Sequence, residues 1–174
     1  GQNSCMGLFV DGDNLSPIQT RQDADALEYL DYTPEAVLLR LRPAAHMLII
    51  EPGAGQSILA ARAGGAARVT AIVSNPLLVE AVAASAADAN PFDDASVRVV
   101  YGGSRSLAGA YGPAFGIVQL PLTDAYRPLH SGAFSLGENY QLTVEALRAD
   151  LELLAPDGIL ALTRWLQLPP TETV

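Results

Sequence analysis

Ile49-Ile50-Glu51-Pro52-Gly53-Ala54-Gly55-Gln56 is the stretch on which the fold turns. The apolar run from Met47 ends at an acidic residue and a proline. Two glycines spaced one residue apart follow, and helical spacing resumes over Ser57 to Ala63. A strand running through a tight glycine turn into a helix is the opening unit of nucleotide-binding α/β domains, because glycine lets backbone approach a ligand closely. A dinucleotide fingerprint would place a third glycine where Ile58 stands, so NAD-type binding is disfavoured. An ordinary β-to-α turn with no ligand is the competing reading.

Outward from this turn the chain alternates. The runs Met47 to Ile50, Val69 to Val73, Val97 to Tyr101, Phe115 to Leu120 and Ile159 to Leu162 are predominantly apolar rather than alternating, as parallel strands buried on both faces are. Ser57 to Ala63, Pro76 to Ala87 and Tyr140 to Leu154 read as helices between them, and Asp157-Gly158 as the turn into the last strand. The order is βαβ throughout, which predicts an open, doubly wound, mostly parallel α/β sheet. Upstream, Gly7 to Ile18 flanks Asp11-Gly12-Asp13-Asn14 with apolar stretches and reads as a small hairpin. Thr33-Pro34-Glu35 opens a helix to about Leu41, with Thr33 as cap, Pro34 at the first helical position and Glu35 favouring the positive end of the dipole. We therefore expect a hairpin and connector over 1–32 and a Rossmann-like core over 33–174.

With 174 residues, 49% of them hydrophobic, the chain suits one domain with a large core. Ten basic against nineteen acidic residues give a net charge of −9, which repels phosphate backbones and argues against nucleic acid. The same charge is compatible with a cationic ligand such as a polyamine, and equally with plain solubility. The single cysteine, Cys5, cannot close an internal disulfide, and His46 and His130 stand alone, so no metal site is expected. No apolar run approaches the roughly 20 residues of a membrane span, and no signal-peptide order opens the chain. A cytoplasmic domain is expected. Gly1 at the start and the polar, Pro-rich 168–174 at the end suggest a segment of a longer protein.

An acidic residue just before a Gly-x-Gly turn resembles the first motif of S-adenosylmethionine-dependent methyltransferases, whose carboxylate faces the cationic amino group of the ligand's methionine moiety. Glu51 takes that place, with Gly53, Ala54 and Gly55 bringing backbone to the ligand. The second strand ends at Val73-Ser74-Asn75-Pro76, where a ribose-binding carboxylate is usual. Ser74 can bond to one ribose oxygen at most, and weakly. Ser74 and Asn75 acting only as caps of the next helix is the alternative.

Gly7 to Gly12 with Gln19 downstream, Pro34, the Glu51 to Gly55 turn, Val69 to Pro76, and Glu138-Asn139-Tyr140 through Pro156-Asp157-Gly158-Ile159-Leu160 together resemble the spermidine synthase family. The likeness covers nearly the whole chain and is most specific over Ser135 to Trp165. It is greatest to divergent bacterial spermidine synthase-like proteins, in which related domains are attached to membrane segments.

The resemblance implies aminopropyl transfer from decarboxylated S-adenosylmethionine, with S-adenosylmethionine itself as the alternative co-substrate, to a small-molecule amine and without a metal. It also implies adenine contacts at Gly103 and Ser104, a ligand contact at Gln119, and substrate contacts at Gln19, Asp23, Glu138 and Tyr140. The chain departs from the family at several of these places. Leu27 and Glu28 stand where a Tyr-His pair belongs, Tyr101-Gly102-Gly103-Ser104 lacks the adenine-binding acid, and Gln119 replaces the catalytic Asp. Asp124 is then the nearest candidate base or amine anchor, although an isolated loop Asp also serves turns. Glu138 and Tyr140 have helix-start and core-packing alternatives. Three readings follow: a spermidine synthase-like transferase, a noncatalytic binding module, or a small-molecule methyltransferase. The family's sheet has two further strands, so the edge formed by 159–164 is expected to be covered by a partner copy, by the C-terminal tail or by an absent segment.

Overall fold

A computed structural model describes residues 6–10, 14–19, 27–86, 89–122 and 141–164. Strands β1 (Met6–Val10) and β2 (Asn14–Ile18) form the antiparallel hairpin, with Phe9 opposite Leu15. The core sheet contains β3 (His46–Ile50), β4 (Arg68–Val73), β5 (Val97–Tyr101), β6 (Phe115–Leu120) and β7 (Leu154–Leu162) in the order β5-β4-β3-β6-β7. Every neighbouring pair in it is parallel. The chain lays β4 and β5 to one side of β3, then crosses back to lay β6 and β7 on the other. The reversal between β3 and β6 opens a crevice at the carboxyl ends of the strands, which is where ligands bind in sheets of this kind.

The helices are α1 (Pro34–Leu41), α2 (Gln56–Ala63), α3 (Pro76–Ala86), α4 (Ser104–Tyr111) and α5 (Val144–Leu153), with short 3-10 turns at Glu28–Tyr32 and Pro91–Asp93. Two apolar layers sandwich the sheet. On one face Met47, Ile49, Val69 and Ala71 pack with Leu38 and Leu39 of α1, Ile58 and Ala61 of α2 and Val82 and Ala86 of α3. On the other Leu48, Ile50, Ile72, Val118 and Leu120 pack with Leu107 of α4 and Leu153 of α5. Side chains alternate between the two layers along each strand, which is why every residue of β6 is buried and the strand is apolar apart from Gln119. Ile18 brings the hairpin onto the first layer.

Four points of the sequence reading need correction. Thr33 does not cap α1 with its side chain; its hydroxyl donates to the Leu30 carbonyl at 2.8 Å, closing the preceding 3-10 turn. Asp157-Gly158 is not a turn before the last strand. β7 already starts at Leu154, and its register against β6 shifts between Phe115 and Ile117, so 155–158 form a bulge inside it. A Cβ on Gly158 would lie 3.0 Å from the carbonyl oxygens of both Phe115 and Ala155, which explains the glycine, while Asp157 turns outward to an ion pair with Arg42. Helix α4 went unread because Ser104-Arg-Ser-Leu-Ala-Gly-Ala-Tyr111 carries serines and a mid-helix glycine, all poor helix formers. It forms because Leu107 is buried against the second layer. The last helix begins at Val144 rather than Tyr140, with the Thr143 hydroxyl accepting from the Ala146 N–H as its cap.

Candidate functional site

The carboxyl ends of β3, β4, β5 and β6 bring Glu51, Ser74, Gly103 and Gln119 to one edge of the sheet. Glu51 is the pivot. Its backbone is left-handed, with φ of 54°, a conformation that costs a non-glycine residue about 1 kcal/mol and is retained where the surroundings or function demand it. Its N–H donates to the Ile72 carbonyl at 2.9 Å, which extends the β3–β4 pairing by one residue. From there the carboxylate reaches over the end of β4 and accepts the Ser74 N–H at 2.8 Å. Burial raises the pKa of Glu51, and the hydrogen bonds offered by the Ser74 hydroxyl and N–H oppose that rise. The result is a half-buried carboxylate fixed beside the crevice, with one oxygen committed to Ser74.

Beyond Glu51 the turn closes through the Gly55 N–H to the Pro52 carbonyl at 3.0 Å, and the Gly55 carbonyl takes the first N–H bonds of α2, from Ile58 and Leu59. Gly53 and Gly55 have φ of 59° and 93°. Gly55 is also pressed from outside, since a Cβ there would sit 2.3 Å from Cγ of Pro91. The second glycine of the motif therefore has a packing reason independent of any ligand. Ala54 is buried in the first apolar layer. Ile58, in place of a third glycine, is fully buried in that layer as well.

On β4 the two neighbours divide their roles. Asn75 Oδ1 accepts from the Leu77 N–H at 3.0 Å and so caps α3, whereas the exposed Ser74 supports Glu51. After β5, Gly102 takes φ of 134° and Gly103 has open space around the place of a Cβ, so backbone lies bare at this strand end. Ser104 is buried at the first turn of α4 and faces Asp150 of α5. Burial raises the pKa of Asp150, with Ser104 opposing, yet neither carboxylate oxygen has a hydrogen bond of ordinary geometry among the described residues.

Gln119 lies within β6, wholly buried, and its Nε2 donates to Oε1 of Glu35 at 2.7 Å. Glu35 is a buried carboxylate in the first turn of α1. Its contact with Gln119 spans 84 positions of sequence, so no local pattern announces it. Gln19 follows directly on β2 and is half-buried. Leu27 packs against the cluster of Leu30, Leu59 and Ala60, and Glu28 is exposed. Asp23, Asp124, Glu138 and Tyr140 lie outside the described residues. Among the described residues there is no group of acidic, His and Cys side chains that would hold a metal. Among them, too, no helix is long and apolar enough to cross a membrane.

The sheet order, the glycine turn at its switch point and the acid at the end of β3 define an α/β domain with the Rossmann-type fold of S-adenosylmethionine-dependent methyltransferases. Solved structures share that fold. Spermidine synthase from Thermotoga maritima superposes with a TM-score of 0.58 at 17% identity, over 85% of this chain and 48% of its own. A spermidine synthase in complex with the transition-state analogue AdoDATO gives 0.57 at 16% identity, with the same coverage of 85% and 48%. The SAH-bound Podospora anserina methyltransferase PaMTH1 gives 0.52 at 18%, over 80% of this chain and 55% of its own. The chain thus spans about half the length of these proteins. No protein-family model matches the sequence, and no curated protein does.

Proposed function

We propose that this chain is a spermidine synthase-like domain that binds an S-adenosyl ligand in the crevice between β3 and β6 and supports transfer of an aminopropyl group to an amine. The observation that carries the reading is Glu51, a carboxylate held in a strained backbone at the switch point and aimed by Ser74. In that place a carboxylate suits the cationic end of an S-adenosyl nucleotide. The aminopropyl form is preferred on the resemblance of the sequence to spermidine synthases, whose fold this chain shares as it shares that of methyltransferases.

The chemistry asks little of the protein beyond alignment. The amine lone pair forms a C–N bond to the propyl carbon attached to the sulfonium as the C–S bond breaks. The bonding pair passes to sulfur, leaving methylthioadenosine, and a base or water takes the proton lost by nitrogen. Alignment comes from backbone at Gly53 to Gly55 and Gly103, which leaves room for the nucleotide, and from Glu51, which attracts its cationic end. The lack of acids at Ser74 and Gly103 points to a weaker nucleotide site than one with two anchoring carboxylates.

Calorimetric titration with S-adenosylmethionine, decarboxylated S-adenosylmethionine and methylthioadenosine, repeated on Glu51→Ala, tests the reading. Preference for the decarboxylated ligand, weakened in the variant, is expected. Preference for S-adenosylmethionine would move the assignment to methyl transfer, and no binding by the folded chain would leave a noncatalytic module.

A further inference from the structure

Gln119 and Glu35 present a hydrogen-bonding pattern that is incomplete in one direction only. A carboxylate is an acceptor without hydrogens, so the Gln119 amide must turn its NH2 toward Glu35, as the 2.7 Å contact has it. That choice fixes Oε1 of Gln119 on the other side of the amide, where it is buried and has no partner among the described residues. A buried carbonyl left without a donor loses its hydration with nothing in return. A buried polar group left open in this way calls for an explanation, and a polar occupant is one that supplies the missing partner.

What the pair lacks is a donor. The Glu35 carboxylate can accept further hydrogen bonds and Oε1 of Gln119 has accepted none, so an N–H-rich cation would complete both. The chain cannot supply an ammonium from a side chain, because all ten of its basic residues are arginine and it has no lysine. The pair also lies close to the crevice. Gln119 is paired with Ile49 on β3, two residues before Glu51, and with Ala161 on β7, so it sits by the strand ends at the switch point. Glu35, on α1, retains 7% exposure against none for Gln119.

We infer that Glu35, oriented by Gln119, is the seat for a primary ammonium group of the amine acceptor: the ammonium donates to the Glu35 carboxylate and to Oε1 of Gln119. The inference rests on the amine acceptor proposed above and gives it a carboxylate anchor. Gln119 acts as a positioning residue that also offers one acceptor, and no bond to nitrogen is made or broken at this seat.

Calorimetry of the chain with 1,4-diaminobutane, without nucleotide, tests it. Glu35→Gln replaces the charge and is expected to weaken binding about tenfold or more, the loss of one charged hydrogen bond. Gln119→Leu keeps Glu35 and removes the unpaired oxygen, and is expected to weaken binding severalfold. The exchange Glu35→Gln with Gln119→Glu restores an acid-amide pair and is expected to recover most of the affinity, while Glu145→Gln on the exposed face of α5 changes nothing. Wild-type affinity in both single variants, or no diamine binding by the folded wild-type chain, overturns the inference. A parallel titration with S-adenosylmethionine separates the two readings. Nucleotide binding that survives while diamine binding ignores Glu35 sinks the seat alone, whereas diamine binding that depends on Glu35 without nucleotide binding sinks only the nucleotide site.

Discussion

The Ser74 N–H donates to the Glu51 carboxylate at 2.8 Å, tying the carboxyl ends of β3 and β4 together beside the crevice. The acid that would meet a cationic ligand is thereby fixed before any ligand arrives, and fixed groups lose less entropy on binding. The strain at Glu51 is the cost of this placement, and a glycine there would remove it.

Glu51→Gly is therefore expected to leave stability within about 1 kcal/mol of wild type, relief of the left-handed strain offsetting the lost hydrogen bond. Affinity for S-adenosyl ligands should fall at least about tenfold. Chemical denaturation beside calorimetry checks both. A variant that is stable and still binds normally would remove Glu51 from the site.

The glycines of the crevice divide into structural and open ones. Gly55→Ala forces a Cβ against Pro91 in a left-handed backbone and should cost about 2–4 kcal/mol. Gly103→Ala meets nothing within 4 Å. It should be nearly neutral for stability, so any loss of nucleotide affinity in that variant reports a ligand close to the β5 end. Urea unfolding of the two variants makes the comparison.

Ser74 and Asn75 are separable in the same way. Asn75→Ala removes the α3 cap and should cost about 1 kcal/mol without changing ligand affinity. Ser74→Asp supplies the ribose acid that the strand end lacks and should tighten S-adenosyl binding up to about tenfold. Calorimetry on both variants decides, and unchanged affinity in Ser74→Asp would place the ribose elsewhere.

Asp150 makes stability depend on pH in an unusual direction. Its pKa is raised by burial, so the folded chain binds more protons than the unfolded one. The favourable contribution is complete below the ordinary value of 3.8 and is lost as pH rises through the raised folded value. Asp150→Asn should remove that loss, so the variant gains stability relative to wild type on going from the ordinary value of 3.8 to neutral pH. Denaturation at the two pH values measures it, and a difference independent of pH would show that Asp150 keeps its ordinary pKa.

Much of the fold was legible because its signals are local. Strands covered on both faces are predominantly apolar, so the runs ending at Ile50, Val73 and Leu120 declare themselves, and the edge run ending at Tyr101 still shows through its three valines although Arg98 is exposed. Pro34 and the glycine turn mark helix starts through their backbone restrictions. Where two weak signals met, the pattern failed. The serine- and glycine-rich α4 is helical because Leu107 finds a buried place, and Gly158 marks a bulge rather than a turn because the β6 backbone lies against it.

By itself the sequence determined the order of elements, the parallel sheet and the position of Glu51 at the end of its strand, since each depends on neighbours a few residues apart. The tertiary structure alone decided that Glu51 leans on Ser74, that Gly55 is wedged by Pro91, and that Gln119 meets Glu35. Those contacts join residues brought together only when the sheet and its covering helices close, and a hydrogen bond across 84 positions leaves no periodic trace in the chain.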